Sequence, residues 1–259
     1  MAPLGRAVLF LLLAALPGFL GFHPGAGVSF LLVLALSWAF LRLEGRGLPS
    51  LGLRLNGRWG LDLLQGVGLG LALMCLMALM LRVLGGFHWE SNPGFRIHHP
   101  IAGAGIFALV ALHEECLFRG YPFQRLVETW GPWAAQLGLA LLFTLAHWRN
   151  PGLTGGTRPW ATLNIGLAAL LLGLCYLKTR SLALPIGLHL GWNWAQGNLL
   201  GFPVSGTSFA QGPWRPVLQA SPSWLTGGAF GLEASALCTL VCLGSILLLV
   251  RWKGRPPVS

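Results

Sequence analysis

Long apolar runs, interrupted at intervals by Pro, Gly and Arg, organise this chain from end to end. Eight stretches read as helical spans: about 7–22, 27–43, 61–84, 101–123, 132–148, 161–178, 182–201 and 231–251. Most approach or exceed the ~20 residues that cross a hydrocarbon core. The breaks carry helix-stop chemistry. They are His23-Pro24-Gly25, the basic loop 42–58 with Gly45, Gly47 and Pro49, the loop 85–100 with Pro93 and Gly94, and Asn150-Pro151-Gly152. The loop 85–100 reads as partly amphipathic. The longest connection, 202–223, is rich in Gly, Pro and Ser, and no internal repeat is visible. The pattern predicts an all-α, polytopic helical membrane protein with about eight transmembrane helices. It divides into N-terminal helices and a basic loop (1–100), a central core (101–201), and a loop with a last helix (202–259), all one integral unit.

Composition agrees. The chain is 54% hydrophobic and 9% charged, where a soluble domain carries about 25% charged residues. The net charge of +10 would suit nucleic acid only if gathered into a patch. The basic residues are instead scattered through short loops, so the expected partner is the lipid bilayer and no nucleic acid is expected. With the N-terminus inside, the 17 Lys and Arg divide twelve to the inner loops and five to the outer ones. By the positive-inside rule this predicts cytoplasmic N- and C-termini. The first twenty residues imitate a signal peptide, but the seven further spans favour an uncleaved first helix. The five cysteines all fall in apolar segments without a CxxC, and read as small buried hydrophobes.

Against this background the polar residues inside the spans stand out, since ionisable groups at membrane depth are costly and are read as functional. Glu114, Glu115 and Arg119 end an uncharged run from Ile101 to Leu112. Glu115 and Arg119 are four apart and share a helix face, so they can pair. Glu114 points about 100° away, toward a different neighbour. One carboxylate can then be held by arginine while the other faces a cavity as a general base. Phe143 and His147 form a second i,i+4 pair, and His189 and Asn193 a third. Two histidines, a glutamate and an asparagine could hold a water or a metal; two His with one carboxylate is a catalytic zinc set. At 1.5 Å per residue along these spans, Glu114, His189 and His147 lie roughly 15, 10 and 22 Å from the inner face, which puts the three at uneven levels.

The patterns Glu114-Glu115-x-x-x-Arg119, Phe143-x-x-x-His147 and His189-x-x-x-Asn193 resemble the three signature motifs of the CPBP (CAAX protease and bacteriocin-processing, or Abi) family of intramembrane proteases. That family includes the Ras-converting type of CAAX prenyl endopeptidase. The text around the motifs is similar too, in Asn150-Pro151-Gly152 and in Leu177-Lys178-Thr179-Arg180-Ser181-Leu182 leading to His189. The likeness covers roughly 101–200, and more loosely 47–70. Any one motif alone is weak; three in order on apolar helices are specific.

The resemblance implies an eight-helix fold and endopeptidase chemistry near the cytoplasmic side. It maps water activation to Glu114 and His147. His189 and Asn193 fall to the oxyanion, or to the water or metal site, and Glu115 and Arg119 to orientation of the site. It leaves open whether a metal takes part; if a zinc ion does, its ligands are Glu114, His147 and His189. The implied substrate is a peptide or protein with a membrane anchor or a lipidated tail. The short loops point to a multi-pass protein of a bacterial plasma membrane, which widens the substrate to bacteriocin-like peptides. A non-enzymatic immunity or scaffold protein, or a proton-coupled transporter, is the competing class.

Other protease chemistries fit worse: there is no HExxH, no GxSG, and Asp62 is the sole aspartate. His98 and His99 are adjacent and do not share a helix face. Gly66, Gly68 and Gly70 read as a close helix contact. The tryptophans mostly suit interfacial belts; Trp192 and Trp194 flank Asn193 and read first as packing.

Overall fold

The computed structural model describes residues 2–208 and 212–255. Residues 209–211 of the longest connection and the last four positions lie outside that range. The chain is built of helices, in order α1 (Pro3–Phe19), α2 (Ala26–Arg42), α3 (Gly57–Val83), α4 (His98–Phe118), α5 (Tyr121–Ala146), α6 (Thr157–Thr179), α7 (Ala183–Trp194), the single turn α8 (Ser223–Thr226) and α9 (Ala236–Arg251). One wider, π-type turn, Ala195–Leu199, prolongs α7. Asn56 caps α3 by accepting from Trp59 N (2.9 Å), and Ser235 caps α9 by accepting from Cys238 N (3.2 Å). Three stretches among the described residues are long and apolar enough to cross a membrane: Gly57–Val83, the run His98–Ala146, and Thr157–Thr179. Pro3–Phe19, Ala26–Arg42 and Ala236–Arg251 are shorter apolar helices.

The fourth predicted span differs from the structure in an instructive way. It does not run to 123 but stops at Phe118, and the chain breaks at Arg119-Gly120. A separate arm follows, whose first residues Tyr121 to Leu126 are buried. Gly131, at φ 78°, then turns the chain into the second half of α5, a backbone region that residues with a side chain rarely enter. Pro122 and Pro132 stand where a helix begins and needs no N–H donor.

The loop 85–100 is the second difference. Phe87–Ser91 forms strand β1, antiparallel to β2 (Trp214–Leu218), with Phe87 opposite Leu218 and Ser91 opposite Trp214. The all-α expectation is thus amended by one small sheet. It is held to the helices by the Phe87–Phe202 ring contact (5.0 Å) and by Trp89 Nε1 donating to Leu200 O (3.0 Å).

α3 and α7 lie in close contact through small residues. A Cβ on Gly66, Gly70, Gly187 or Gly191 would fall within 3.0 Å of the facing backbone. Gly68, also expected in this contact, faces open space instead, because it lies on a different side of the helix. The main core gathers on this pair, with Met74, Met77, Leu81, Leu188, Trp192 and Leu237 among its members. Four cysteines are buried as expected, but Cys75 is exposed.

One end of the helix assembly is arginine-rich. There the half-buried Glu44 accepts from Arg6 Nη1 (2.9 Å), Tyr121 Oη (2.6 Å) and Arg125 Nη1 (3.1 Å). Asp62 accepts from Arg58 Nε (3.1 Å) and from Arg255. Lys178 Nζ donates to Trp252 O (2.5 Å) at the same end.

Candidate functional site

α4 brings its two carboxylates to the middle of the molecule. Glu115 is fully buried, and its Oε1 accepts from Arg119 Nη1 at 2.9 Å, one turn along. The second arm of the guanidinium donates to Ala169 O of α6 (2.8 Å), and its face lies over the Phe143 ring at 5.1 Å. Taking two charges out of water is costly, and the two bonds of the guanidinium and the two on Glu115 Oε1 offset part of that cost, while Glu115 Oε2 finds no hydrogen-bond partner among the described residues. The same Glu115 Oε1 receives His189 Nδ1 from α7 at 2.9 Å.

These contacts also place α4 in depth. Ala169 is ten residues from the end of α6, so α4 stops roughly 15 Å short of the arginine-rich end, and Glu114 rises by about a further turn. α7 lies beside α3 through Gly187 against Leu63 O and Gly191 against Val67 O. Its start is therefore drawn in by roughly one turn, and His189 with it. The uneven levels read from the sequence thus close up, because the fourth span ends five residues early and the seventh begins inside its neighbour.

At the end of α5, His147 stacks on Phe143 (ring centroids 4.5 Å apart), and its Nδ1 lies 2.8 Å from Phe143 O. A carbonyl can only accept, so that nitrogen carries the hydrogen and Nε2 keeps its lone pair in the neutral ring. The same logic applies to His189, whose Nδ1 faces the Glu115 carboxylate. Both Nε2 atoms approach the same carboxylate oxygen. His189 Nε2 lies 3.8 Å and His147 Nε2 4.0 Å from Glu114 Oε2. Among the described residues, Glu114 Oε2 is buried and finds no hydrogen-bond partner.

Each Nε2 is therefore separated from Glu114 Oε2 by a gap too wide for a direct hydrogen bond. A water about 2.8 Å from two acceptors spaced this way sees them at roughly 85–90°, near the angle between its own O–H bonds. The donor set also suits a zinc ion in its chemistry: two imidazole Nε2 atoms, each backed on Nδ1 by an oxygen, and one carboxylate. Among the described residues, no group of three such side chains is drawn tightly enough around one point to read as a formed metal site.

The gap opens into a cavity of about 400 Å³ that Asn193, one turn after His189, also lines. Its walls are largely apolar, with Phe107, Phe118, Leu172 and Trp192 among them. All six predicted site residues lie in this one region. Glu114, His147, His189 and Asn193 face the cavity, while Glu115 and Arg119 stand behind His189. Trp192 lines the cavity too; Trp194 instead donates to Pro100 O (2.8 Å). His98 and His99 pack on each other at 4.6 Å, away from the site.

Sequence reasoning missed the rim. Glu233 accepts from Ser205 N (2.6 Å), Ser205 Oγ (3.0 Å) and Trp192 Nε1 (3.2 Å), and Asn150 Nδ2 donates to Ser205 O (3.0 Å). Glu233 lines the cavity from outside the motif region. The signal was available, since it is the lone acid inside the last predicted span.

A helical assembly that sets a half-buried carboxylate beside two imidazoles, with an amide on the same cavity and a charge pair behind one imidazole, offers acceptors that could position a water. Residues 97–195, which hold all three motifs, match the family model for Type II CAAX prenyl endopeptidase Rce1-like, a family of proteases, and this match supports the resemblance read from the three motifs. Comparison with curated proteins and with solved structures gives no match.

Proposed function

We propose that this protein is a multi-pass intramembrane endopeptidase that cleaves a peptide bond in a membrane-anchored or lipidated peptide. The observation that carries the proposal is the buried, unpartnered Glu114 Oε2 between the Nε2 atoms of His147 and His189. Water held there donates to Glu114 and to His147, and its oxygen is left to attack a substrate carbonyl. Glu114 takes the proton as the C–O bond forms and returns it to the leaving amine nitrogen as the C–N bond breaks. With Glu115 holding Nδ1 of His189, a proton taken up on Nε2 turns that ring into a donor aimed into the cavity. His189 and the Asn193 amide then meet the developing oxyanion. Arg119 keeps Glu115 in place and so fixes the His189 ring. A zinc ion, when bound, would be held by Glu114, His147 and His189 and would supply a water more easily deprotonated at neutral pH. The apolar cavity walls suit a substrate segment that arrives from lipid.

The test uses the full chain in detergent micelles with a panel of membrane-anchored and lipidated peptides. Glu114→Gln and His147→Ala should each lower cleavage by about 10²–10⁴-fold, the usual contribution of a positioned acid–base group, with thermal unfolding little changed. Variants that cleave as fast as the parent would overturn the assignment. Elemental analysis before and after chelation decides the zinc version, which requires stoichiometric metal and activity restored when it is returned.

A further inference from the structure

We infer that the site is served from the end of the molecule opposite its arginines, so that the substrate is a peptide segment presented on the non-cytoplasmic face of the membrane. This rests on the endopeptidase reading above and departs from the cytoplasmic access that the family resemblance implies.

Contacts fix which chain segments share an end. Arg6, Glu44, Arg46, Arg125 and Glu128 form one linked group. Arg58, Asp62 and Arg255 form another at the helix ends beside it. Most of the chain's Lys and Arg lie at this end. The opposite end carries the β1–β2 sheet and few cations, among them Arg215, paired with Glu90 at 2.6 Å. The bias in Lys and Arg assigns the first end to the cytoplasm.

The cavity extends the other way. From Glu114 and His147 it runs past Asn164 to Asn150, Ser205, Thr207 and Glu233. All but Asn164 lie in connections at the cation-poor end, and Asn164 is in the first half of α6. The way to the arginine-rich end is filled. Directly behind the site lies the Glu115–Arg119–Ala169 O chain. Below it Tyr121, Phe123 and Leu126 are buried, Phe123 packs on Tyr176 at 5.8 Å, and Gln124 Nε2 donates to Leu51 O (3.2 Å). Meanwhile the rim at the open end is tied in place: Glu233 and Asn150 hold the Ser205 loop from two sides. Water and an extended peptide reach Glu114 along the polar, built mouth and not through the packed floor.

The experiment places single cysteines in the full chain in the membrane of living cells. It compares labelling by a membrane-impermeant thiol reagent before and after permeabilisation, against the parent with its five native cysteines. Ser208→Cys sits on the exposed rim, Ala168→Cys inside the cavity wall, and Ser50→Cys on the exposed arginine-rich end. Ser208→Cys and Ala168→Cys should label as fully in intact cells as in permeabilised ones, while Ser50→Cys should label only after permeabilisation. The inference is overturned if Ala168→Cys labels only after permeabilisation, if it labels under neither condition, or if the Ser208→Cys and Ser50→Cys results exchange. None of these outcomes touches the peptidase assignment, which peptide cleavage in micelles decides separately. Loss of cleavage activity would in turn leave the labelling pattern standing.

Discussion

Arg119→Met is the sharpest probe of how the site is held. Arg119 is 3% exposed, so almost no solvent screens it. Its loss removes the bond to Glu115 Oε1 at 2.9 Å and the bond to Ala169 O at 2.8 Å, and leaves a fully buried carboxylate with only His189 Nδ1 against it. Breaking one partner out of a buried ion pair costs about 3–5 kcal/mol, mostly as the penalty on the charge left behind. For a chain of this size each kcal/mol moves the melting point by about 2–4 °C, so thermal unfolding in micelles should fall by about 6–20 °C. Adding Glu115→Gln removes the stranded charge. The double variant should then regain part of the loss, with a coupling of about 0.5–3 kcal/mol between the two sites. A single variant that melts with the parent, or a double variant whose loss equals the sum of the two singles, would refute the reasoning.

The remaining tests reach other parts of the structure. Asn193→Ala should lower cleavage by about 10²–10³-fold, the effect of removing one oxyanion donor, with no change in melting; an unchanged rate in the peptide assay would remove it from the site. Gly70→Ala pushes a Cβ into Leu188 O of α7 and should cost about 1–3 kcal/mol, read as a lower melting point. Gly68→Ala meets nothing within 4 Å and should be neutral or slightly stabilising, as alanine is in a helix. Glu44 lies outside the spans. Burial alone would raise its carboxyl, but hydrogen bonds from Tyr121 and Arg6 and the charge of Arg125 outweigh that and hold it below the ordinary range. A carboxyl depressed in the folded state stabilises fully above its unfolded value, and that gain is lost as pH falls through the folded one. Melting of the parent should therefore decline on acidification below the ordinary glutamate range, and Glu44→Gln should show a flatter curve.

The helices were legible because each is a long apolar run, and the site residues because charge and amide are rare inside such runs. What escaped was local. Gly120-Tyr121-Pro122 holds a helix stop and a helix start side by side, yet the apolar residues around it mask the break. Phe87 and Trp89 alternate with polar neighbours as a strand does, but five residues are too few to outweigh an expectation of loop. Gly68 has the spacing for the α3–α7 contact on one reading of the pattern, and only the register of the facing glycines excludes it. Cys75 is apolar in type and its sequence context predicts burial, although a helix side turned to lipid takes the same residues as a core. No sequence pattern gives the level at which spans meet. That depends on where α4 stops and on how far Gly187 and Gly191 let α7 slide along α3.

Adjacent carboxylates on one helix look redundant until their directions are compared. Glu115 turns toward Arg119 and His189 and is spent on structure: it orients an imidazole and neutralises a guanidinium. Glu114, one position earlier and so about 100° around the helix, has no hydrogen-bond donor to its Oε2 among the described residues and lines the cavity. One helical turn thus supplies both the fixed charge and the free base, and the arginine four residues on belongs to the first of them alone. In the proposed mechanism, separating the two roles leaves the half-buried Glu114 carboxylate free to act as a base. Were Glu114 within reach of Arg119, the guanidinium would hold its oxygen in an ion pair and leave no base to accept a proton from water. The i,i+4 spacing from Glu115, and not from Glu114, is therefore the feature of the first motif on which the proposed mechanism turns.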